Sequence, residues 1–338
     1  MARYARRLQK IGSSILISLP SQWIKSNSLR KGSIVPVDVN RDNTLSIFPS
    51  EEDAADQIKE VTIPYSPASM DTLVNQVYGA YLLGYDLIRI KGSLQISFDD
   101  ADRIKRAMRK LVGLEIVDED GLNIIMQFLL DANTLDAEKI LRRMSSIVAG
   151  MYRDVLEALK SRENNIRRVV TGRDDEVDRQ YFLLVRLIRS AMMDQKLAGK
   201  LNLSNIDILD YRIAANHLET AGDNIVDLAA SIQDLSRTRV ADEVHEAGLL
   251  IEKMQEKSVA AFVNKNRSES NSVVKMYEAF NKLMNSVKGM ATTTESRNHQ
   301  STIAVLNLVY SMDNIARCWV DVADLVKPVH LTAPLKNA

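Results

Sequence analysis

The spacing of apolar positions changes along the chain. In the first part of the chain, apolar residues recur at every second position. Residues 14–20, 33–39 and 44–48 read SILISLP, SIVPVDV and TLSIF, with polar residues between the apolar ones. This alternation predicts β-strands, and residues 29–32 and 40–43 supply turn residues between them. Residues 21–28 have the composition of one or two helical turns. We therefore predict a small β domain over residues 1–49.

Residues 57–133 mix strand and helix patterns. Two helix patterns end at Gly84 and Gly113, and the first begins at Ser66-Pro67. Strand patterns cover residues 59–66, 85–92, 114–119 and 122–131. No catalytic motif occurs here, so we predict an α+β middle module that serves as a spacer or a dimerisation element.

From residue 134 to residue 328 the apolar period is helical throughout. Residues 144–164 resemble residues 248–268, and residues 217–232 resemble residues 311–326. Such internal similarity predicts two three-helix repeats, over residues 134–235 and 240–328, followed by a tail at 329–338. The predicted fold class is thus mixed, with a β domain, an α+β module and an all-α domain.

Positive charge is concentrated at the N-terminus, although the whole chain is neutral. Residues 1–49 hold eight Lys or Arg against two Asp, a net charge of +6. A basic arm of this kind suits contact with nucleic-acid phosphates, and the alternative is a solubilising face. We favour DNA contact because Arg3, Arg6, Arg7 and Lys10 cluster just before the first predicted strand.

Other features bear on the compartment of the protein. Cys318 is the sole cysteine, so the chain has no internal disulfide and fits a reducing compartment. The N-terminal apolar run is too short and too rich in serine for a signal peptide. No run of about 18 apolar residues is present, so no spanning helix is expected. We predict a cytoplasmic protein.

Carboxylates recur at intervals of four within the helical part. Glu219, Asp223 and Asp227 lie in HLETAGDNIVD, and Asp174 and Asp178 lie in TGRDDEVDRQY. Like charges at this spacing repel by roughly 0.2–0.5 kcal/mol per pair on a helix. A bound cation would offset that repulsion, and sites made only of oxygen ligands suit Mg, Mn, Ca or ferric iron.

Simpler readings remain open for these carboxylates. If a helix begins near Thr171 or Gly172, Asp174 and Asp178 complement its N-terminal dipole and face solvent.

Redox catalysis is disfavoured because no Glu-x-x-His pair accompanies the carboxylates. No P-loop, dinucleotide-binding or nucleophile motif is present either, so we predict that the chain is not an enzyme.

Residues 4–49 resemble the AbrB/SpoVT-type swapped-hairpin DNA-binding domain. The resemblance rests on KIGSS, on the Leu-Pro before a tryptophan-containing turn, and on LRKG before a strand. It implies an intertwined homodimer that contacts DNA through Arg6, Arg7 and Lys10, with Arg30 and Lys31 as further candidates. The basic cluster adds Arg3 to the predicted DNA-binding residues.

Residues 134–328 resemble PhoU, a phosphate-uptake regulator built of two three-helix repeats. DDEVDRQY and LETAGDNIVDLA correspond to its two acidic motifs, although Thr220 and Ala221 replace the Arg and Ile of the family. The resemblance implies that Gly222 allows a close helix approach beside a metal site. The implied metal is Fe, Mn, Mg or Zn, and its ligands are Asp174, Asp178, Glu219 and Asp223.

The second repeat departs from this pattern. Asp313 keeps the first acid, but Arg317 stands where the second is expected. We therefore predict a single metal site, with Arg317 paired to Asp313 in the other repeat.

The two resemblances together imply a DNA-binding transcriptional regulator of phosphate uptake. The alternative is an adaptor without specific DNA binding, whose partners are the ATPase of a phosphate ABC transporter or a signalling protein. In that case the protein contacts the membrane only through the transporter.

Overall fold

A computed structural model describes residues 4–39, 44–50, 58–161, 165–232, 241–293 and 299–326. The chain divides into two compact units, residues 1–58 and 59–338. Arg3, the turn at 40–43 and the tail at 329–338 lie outside the described residues.

The first unit consists of two small hairpins and a short helix. Strands β1 (Gln9–Ile11) and β2 (Ser14–Leu16) pair antiparallel, as do β3 (Val37–Val39) and β4 (Leu45–Ile47). Helix α1 (Ser21–Ser26) lies between the hairpins in the sequence. The strands that the apolar pattern predicts are present but shorter, and β1 is an addition to them.

The described residues of this unit form no buried core of their own. None of its described side chains is buried, and Ile11, Ile15, Ile34 and Val39 each expose more than 60% of their surface. Two-stranded hairpins need a further apolar partner for stability. The missing core agrees with the predicted pairing of two copies, and the swapped-hairpin arrangement itself stays a prediction.

The second unit begins with a four-stranded sheet in the order β5-β6-β8-β7. Its strands are β5 (Glu60–Tyr65), β6 (Leu87–Gly92), β7 (Leu114–Glu119) and β8 (Asn123–Phe128). Strands β5 and β6 are parallel because helix α2 (Met70–Leu82) connects them, whereas β8 runs antiparallel to both β6 and β7. Alternate strand residues share a core with α2 and with α3 (Phe98–Met108). The strands and helices predicted for the α+β module are present, and because β5 and β6 form a parallel pair connected by α2, we refer to it below as the α/β module.

A bundle of long helices completes the unit. The helices are α4 (Ala137–Ser161), α5 (Ile166–Met193), the short α6 (Gln195–Lys200), α7 (Asn205–Ser231), α8 (Ala241–Asn264), α9 (Arg267–Thr293) and α10 (His299–Asp324). Helices α4, α5 and α7 pack together, and so do α8, α9 and α10. This is the predicted pair of three-helix repeats.

The two repeats meet along α7 and α10, which run antiparallel. Nδ1 of His217 lies 3.7 Å from Oδ2 of Asp321, and Asn314 donates a hydrogen bond of 3.2 Å to Asn224. Helix α4 adds a contact with α8. None of the helices in the described part of the chain is long and apolar enough to cross a membrane.

Arg186 of α5 joins the α/β module to the bundle. Its buried guanidinium donates hydrogen bonds of 2.7 and 2.9 Å to the carbonyl oxygens of Tyr81 and Tyr85, at the C-terminal end of α2. It also lies 3.1 Å from the carboxylate of Asp86. Gly84 follows the helix with φ of +82°, and a Cβ there would lie 2.8 Å from the Ser190 hydroxyl. These contacts fix α5, and with it the candidate site, against the sheet module.

Candidate functional site

The four predicted metal-binding carboxylates come from two neighbouring helices. Asp174 and Asp178 lie on α5, whereas Glu219 and Asp223 lie on α7, which packs against α5. Residues four apart share one side of a helix, so each helix presents one acidic pair. A Cβ at Gly222, which lies between Glu219 and Asp223 in the sequence, would lie 2.8 Å from Oδ1 of Asp174, so the two pairs lie together. We call these four residues the acidic cluster.

Gly222 makes room for one member of the acidic cluster. A Cβ at this buried position would lie 2.8 Å from Oδ1 of Asp174 and 3.6 Å from Cγ1 of Val177. The first distance is shorter than real Cβ contacts, so any larger residue would displace the carboxylate. The expected close approach of the two helices at Gly222 is therefore confirmed.

Partial burial and the crowding of like charges raise the pKa values of three of these carboxylates, those of Asp174, Glu219 and Asp223. Partial burial, followed by Asp223, Asp178 and Glu219, raises the pKa of Asp174 to about 7. Burial and Asp223 also raise the pKa of Glu219. The pKa of Asp223 rises through burial and Asp178, although much of its side chain is open to solvent. The fold therefore holds these groups together against their mutual repulsion.

The position at which α5 begins excludes the interpretation that Asp174 and Asp178 complement the dipole at a helix start. The helix begins at Ile166, with Asn165 as its N-cap, and not near Thr171 or Gly172. Asp174 therefore lies beyond the second turn, where the helix dipole gives little stabilisation. The sequence reading placed the start too late because Thr171 and Gly172 resemble boundary residues, whereas here they lie inside the helix.

A lysine from the α/β module reaches the acidic cluster. The Nζ atom of Lys110 lies 3.0 Å from Oδ2 of Asp178 and 3.1 Å from Oδ1 of Asp175. Burial would lower the pKa of Lys110, but its hydrogen bonds to Asp178 and Asp175 raise that pKa above its ordinary value. The ammonium therefore stays charged. Sequence reasoning missed this residue, because nothing in RAMRKLVG connects it to a partner 68 residues away.

The oxygen donors of the acidic cluster are of the type that hard cations prefer. All four are carboxylates, and within the described residues Asp174 and Asp223 form no ion pair. Yet among the described side chains no group of three His, Cys, Asp or Glu is arranged to hold a metal ion. A cation would therefore have to draw the carboxylates together.

The second repeat carries an ion pair at the corresponding place. Nε of Arg317 lies 2.9 Å from Oδ2 of Asp313, as predicted. The Tyr277 hydroxyl donates a hydrogen bond of 2.9 Å to the other oxygen of Asp313. Both oxygens of Asp313 thus have partners from the chain itself.

The predicted DNA-binding residues lie in the first unit. All of these residues that the structure describes are exposed. The guanidinium of Arg6 lies 5.5 Å from the ring centroid of Tyr4. These members are Arg6, Arg7, Lys10, Arg30 and Lys31. The structure thus leaves their charge open to solvent, and a role in DNA binding stays a prediction.

The helical bundle is PhoU-like. Residues 141–232 match the family model described as the PhoU domain. This stretch contains the whole acidic cluster, so the family match and the candidate site fall in the same repeat. PhoU-family proteins are non-enzymatic regulatory proteins, which confirms the prediction that this chain is not an enzyme.

The chain is also similar to individual proteins. The chain is 29% identical over 157 residues to "Phosphate-specific transport system accessory protein PhoU homolog" of Clostridium acetobutylicum, covering 43% of this chain and 70% of that protein. The crystal structure of PhoU from Pseudomonas aeruginosa superposes with a TM-score of 0.52 at 18% identity, covering 58% of this chain and 95% of that one. The phosphate transport system regulatory protein PhoU from Streptococcus pneumoniae gives a TM-score of 0.49 at 14% identity, covering 56% and 91%. The Pseudomonas structure establishes the likeness in fold.

Proposed function

We propose that this protein is a PhoU-type accessory regulator of phosphate transport that acts through contacts with other proteins. The observation that carries the proposal is the PhoU domain match over residues 141–232, which includes the acidic cluster. The clostridial relative, which bears the name of a phosphate-transport accessory protein, points the same way. The partner is the ATPase of a phosphate ABC transporter or a signalling protein.

Phosphate uptake in cells tests this proposal. Cells that lack the protein should take up phosphate at a rate that no longer falls when phosphate is abundant, and the wild-type chain should restore that response. Tagged full-length chain should also co-purify with the transporter ATPase, whereas an unrelated protein with the same tag should not. An unchanged uptake response together with no co-purification would contradict the proposal.

A second candidate function is sequence-specific DNA binding by the first unit. The exposure of Arg6, Arg7 and Lys10 on a unit without its own core favours it, because a dimer would present these charges twice. The matched relatives favour the protein-contact function instead.

Capture of genomic DNA fragments at about 0.15 M salt separates the two functions, because phosphate contacts weaken steeply as salt rises. A DNA regulator should enrich promoters near phosphate-transport genes. The triple change of Arg6, Arg7 and Lys10 to Ala should abolish that enrichment without dissociating the dimer. Lys25→Ala, an exposed lysine on α1, is the matched control and should behave as wild type. No enrichment by a folded wild-type chain would leave the adaptor function.

Metal binding by the acidic cluster is a further part of the proposal. Asp174, Asp178, Glu219 and Asp223 would hold a divalent or ferric ion, which would neutralise their charge and tie α5 to α7. Elemental analysis should find metal in the wild-type chain and much less in the double variant Glu219→Gln/Asp223→Asn. Asp227→Asn, on the same helix but outside the acidic cluster, should keep the metal. Equal metal content in all three proteins would rule the site out.

A further inference from the structure

Helix α10 carries a row of exposed apolar side chains on one side. Ile303, Leu306 and Tyr310 expose 57%, 40% and 68% of their surface. Their spacing of three and four residues places them next to one another along the helix. Single exposed apolar residues are common on protein surfaces, whereas adjacent ones mark contact sites. We call these three residues the α10 stripe.

The corresponding positions of the first repeat are more polar. Helix α10 aligns with α7 at an offset of 94 residues, which pairs Asp313 with Glu219. The counterparts of the α10 stripe are therefore Leu209, Arg212 and Asn216. Only the first of these three is apolar.

Arg212 and Asn216 both have a partner within the first repeat. The guanidinium of Arg212 lies 5.2 Å from the ring centroid of Tyr181, and the Tyr181 hydroxyl donates a hydrogen bond of 3.5 Å to Asn216. Polar residues at these positions are thus compatible with the packing of a three-helix repeat. The repeat itself does not require the apolar character of the α10 stripe, so contact with a partner accounts for it.

The charges on the neighbouring helix at this level are positive. Helix α9 runs antiparallel to α10, and the hydrogen bond between Tyr277 and Asp313 fixes their register. The exposed Lys282 and Lys288 therefore lie at the level of the α10 stripe. No Asp or Glu follows Glu278 in α9 or precedes Asp313 in α10. A partner that fits this surface needs apolar side chains accompanied by acidic ones.

We propose that the α10 stripe is the docking surface for an acidic amphipathic helix of the protein through which this chain regulates phosphate transport. This inference rests on the proposed function. A helix that lies against such a row contributes apolar side chains at a spacing of three and four residues. Tyrosine is among the residues that contribute most to binding at protein interfaces, and Tyr310 is the most exposed member of the α10 stripe.

A second copy of the chain and a membrane surface fit the α10 stripe less well. A stable dimer interface buries about 800 Å² per partner, and even a large aromatic side chain buries only about 150–250 Å². Three side chains therefore suffice for a helix but not for a dimer. Stable attachment to a membrane needs a longer apolar face or a cluster of about four to eight basic residues, whereas Lys282 and Lys288 supply two charges.

Photo-cross-linking of the full chain in cells identifies what occupies the α10 stripe. A photoreactive phenylalanine analogue in place of Tyr310 should cross-link to an acidic amphipathic helix of the transporter ATPase or of a signalling protein. The same analogue in place of Leu209 is the matched control and should give no such product. Cross-links only to a second copy, to lipid or to residues 327–338 of the same chain would overturn the proposal.

Co-purification of the partner with tagged full-length chain measures the energetic role of the α10 stripe. Ile303→Glu should reduce the amount of co-purified partner about tenfold, because it places a charge in an apolar contact. Leu209→Glu is the matched control, because it adds the same charge at the counterpart position, which is 56% exposed, and should behave as wild type. Lys282→Glu/Lys288→Glu should also weaken the complex, and urea unfolding should show that all variants are folded.

The outcomes separate this inference from the proposed function. If Ile303→Glu and wild type retain the partner equally, the α10 stripe is not the docking surface, and the regulatory function stands. If wild type retains neither the transporter ATPase nor a signalling protein, both the function and the docking surface are overturned. Loss of the partner in Ile303→Glu but not in Leu209→Glu would establish the α10 stripe as its docking surface.

Discussion

The guanidinium of Arg186 lies over the ring of Phe128, with 3.8 Å between its central carbon and the ring centroid. Arg186 belongs to the bundle, and Phe128 is the last residue of strand β8 in the sheet. The same guanidinium caps the end of α2 through the carbonyl oxygens of Tyr81 and Tyr85. The buried Arg186 side chain therefore combines a cation–π contact, charge-assisted hydrogen bonds and an ion pair at a position that is almost inaccessible to solvent.

Replacement of Arg186 by Met should destabilise the protein strongly. It leaves the carbonyl oxygens of Tyr81 and Tyr85 without this donor, and breaking a buried charged network costs about 3 kcal/mol. The midpoint of urea unfolding measures the loss. Arg317→Met is the matched control, because its ion pair with Asp313 is largely exposed and should contribute less than about 1 kcal/mol. Equal losses in the two variants would contradict this assignment.

Lowering the pH from 8 to 5.5 in metal-free buffer should stabilise the wild-type protein. The folded state raises the pKa of Asp174 from 3.8 to about 7, so the folded state binds the proton more tightly than the unfolded chain does. The contribution of Asp174 to stability is then highest below its pKa in the unfolded chain, 3.8, and falls as the pH rises toward its pKa in the folded protein, about 7.

The variant Asp174→Asn checks this dependence. It should be more stable than wild type at pH 8, by on the order of 1 kcal/mol after allowance for solvent screening of a half-exposed group. Its stability should also change less between pH 5.5 and 8, as measured by urea unfolding at each pH. The stability of the wild type could instead rise from pH 5.5 to pH 8 by the same amount as that of Asp174→Asn. Asp174 would then have no part in the pH dependence of stability.

Gly172→Ala and Gly222→Ala should differ although both replace a glycine inside a long helix. A Cβ at Gly172 meets nothing within 4 Å, so alanine should stabilise the protein by about 1 kcal/mol through its helix propensity. At Gly222 the Cβ would lie 2.8 Å from Asp174, so displacement of the carboxylate should cancel most of that gain. Thermal unfolding of the two variants measures the difference, and equal stabilisation would show that Gly222 is not needed for space.

Ile11→Glu should convert a dimer into a monomer. Ile11 and Leu16 lie on one face of the first hairpin, because residues 9 and 16 and residues 11 and 14 are paired across the two strands. Both are exposed in the single chain, where none of the described residues of the first unit is buried. A charge on this face should prevent its burial against a second copy.

Light scattering of the full chain measures this change. The wild type should have twice the chain mass of 37.9 kDa, and Ile11→Glu should approach that single-chain mass. Phe98→Glu, an 86% exposed apolar residue of the second unit, should leave the dimer intact. A monomeric wild type would contradict the predicted dimer.

The sequence determined the elements and the identity of the acidic cluster. Apolar periodicity predicted the strands, the helices of the α/β module and the two three-helix repeats, because local spacing decides which face of an element can be buried. The acidic pairs could be found for the same reason, since residues four apart on a helix share one side. The Arg317–Asp313 pair followed from that same local rule.

The tertiary structure decided how these parts meet. The start of α5 at Ile166, and not at Thr171 or Gly172, depends on packing that local boundary signals do not report. Neither Arg186, which lies within FLLVRLI, nor Lys110 was singled out by the sequence pattern. Their partners lie 100 and 68 residues away, and a sequence pattern records spacing within an element but not distances between elements. Only the packed fold brings Lys110 to the carboxylates, because the sheet module and the bundle share one core.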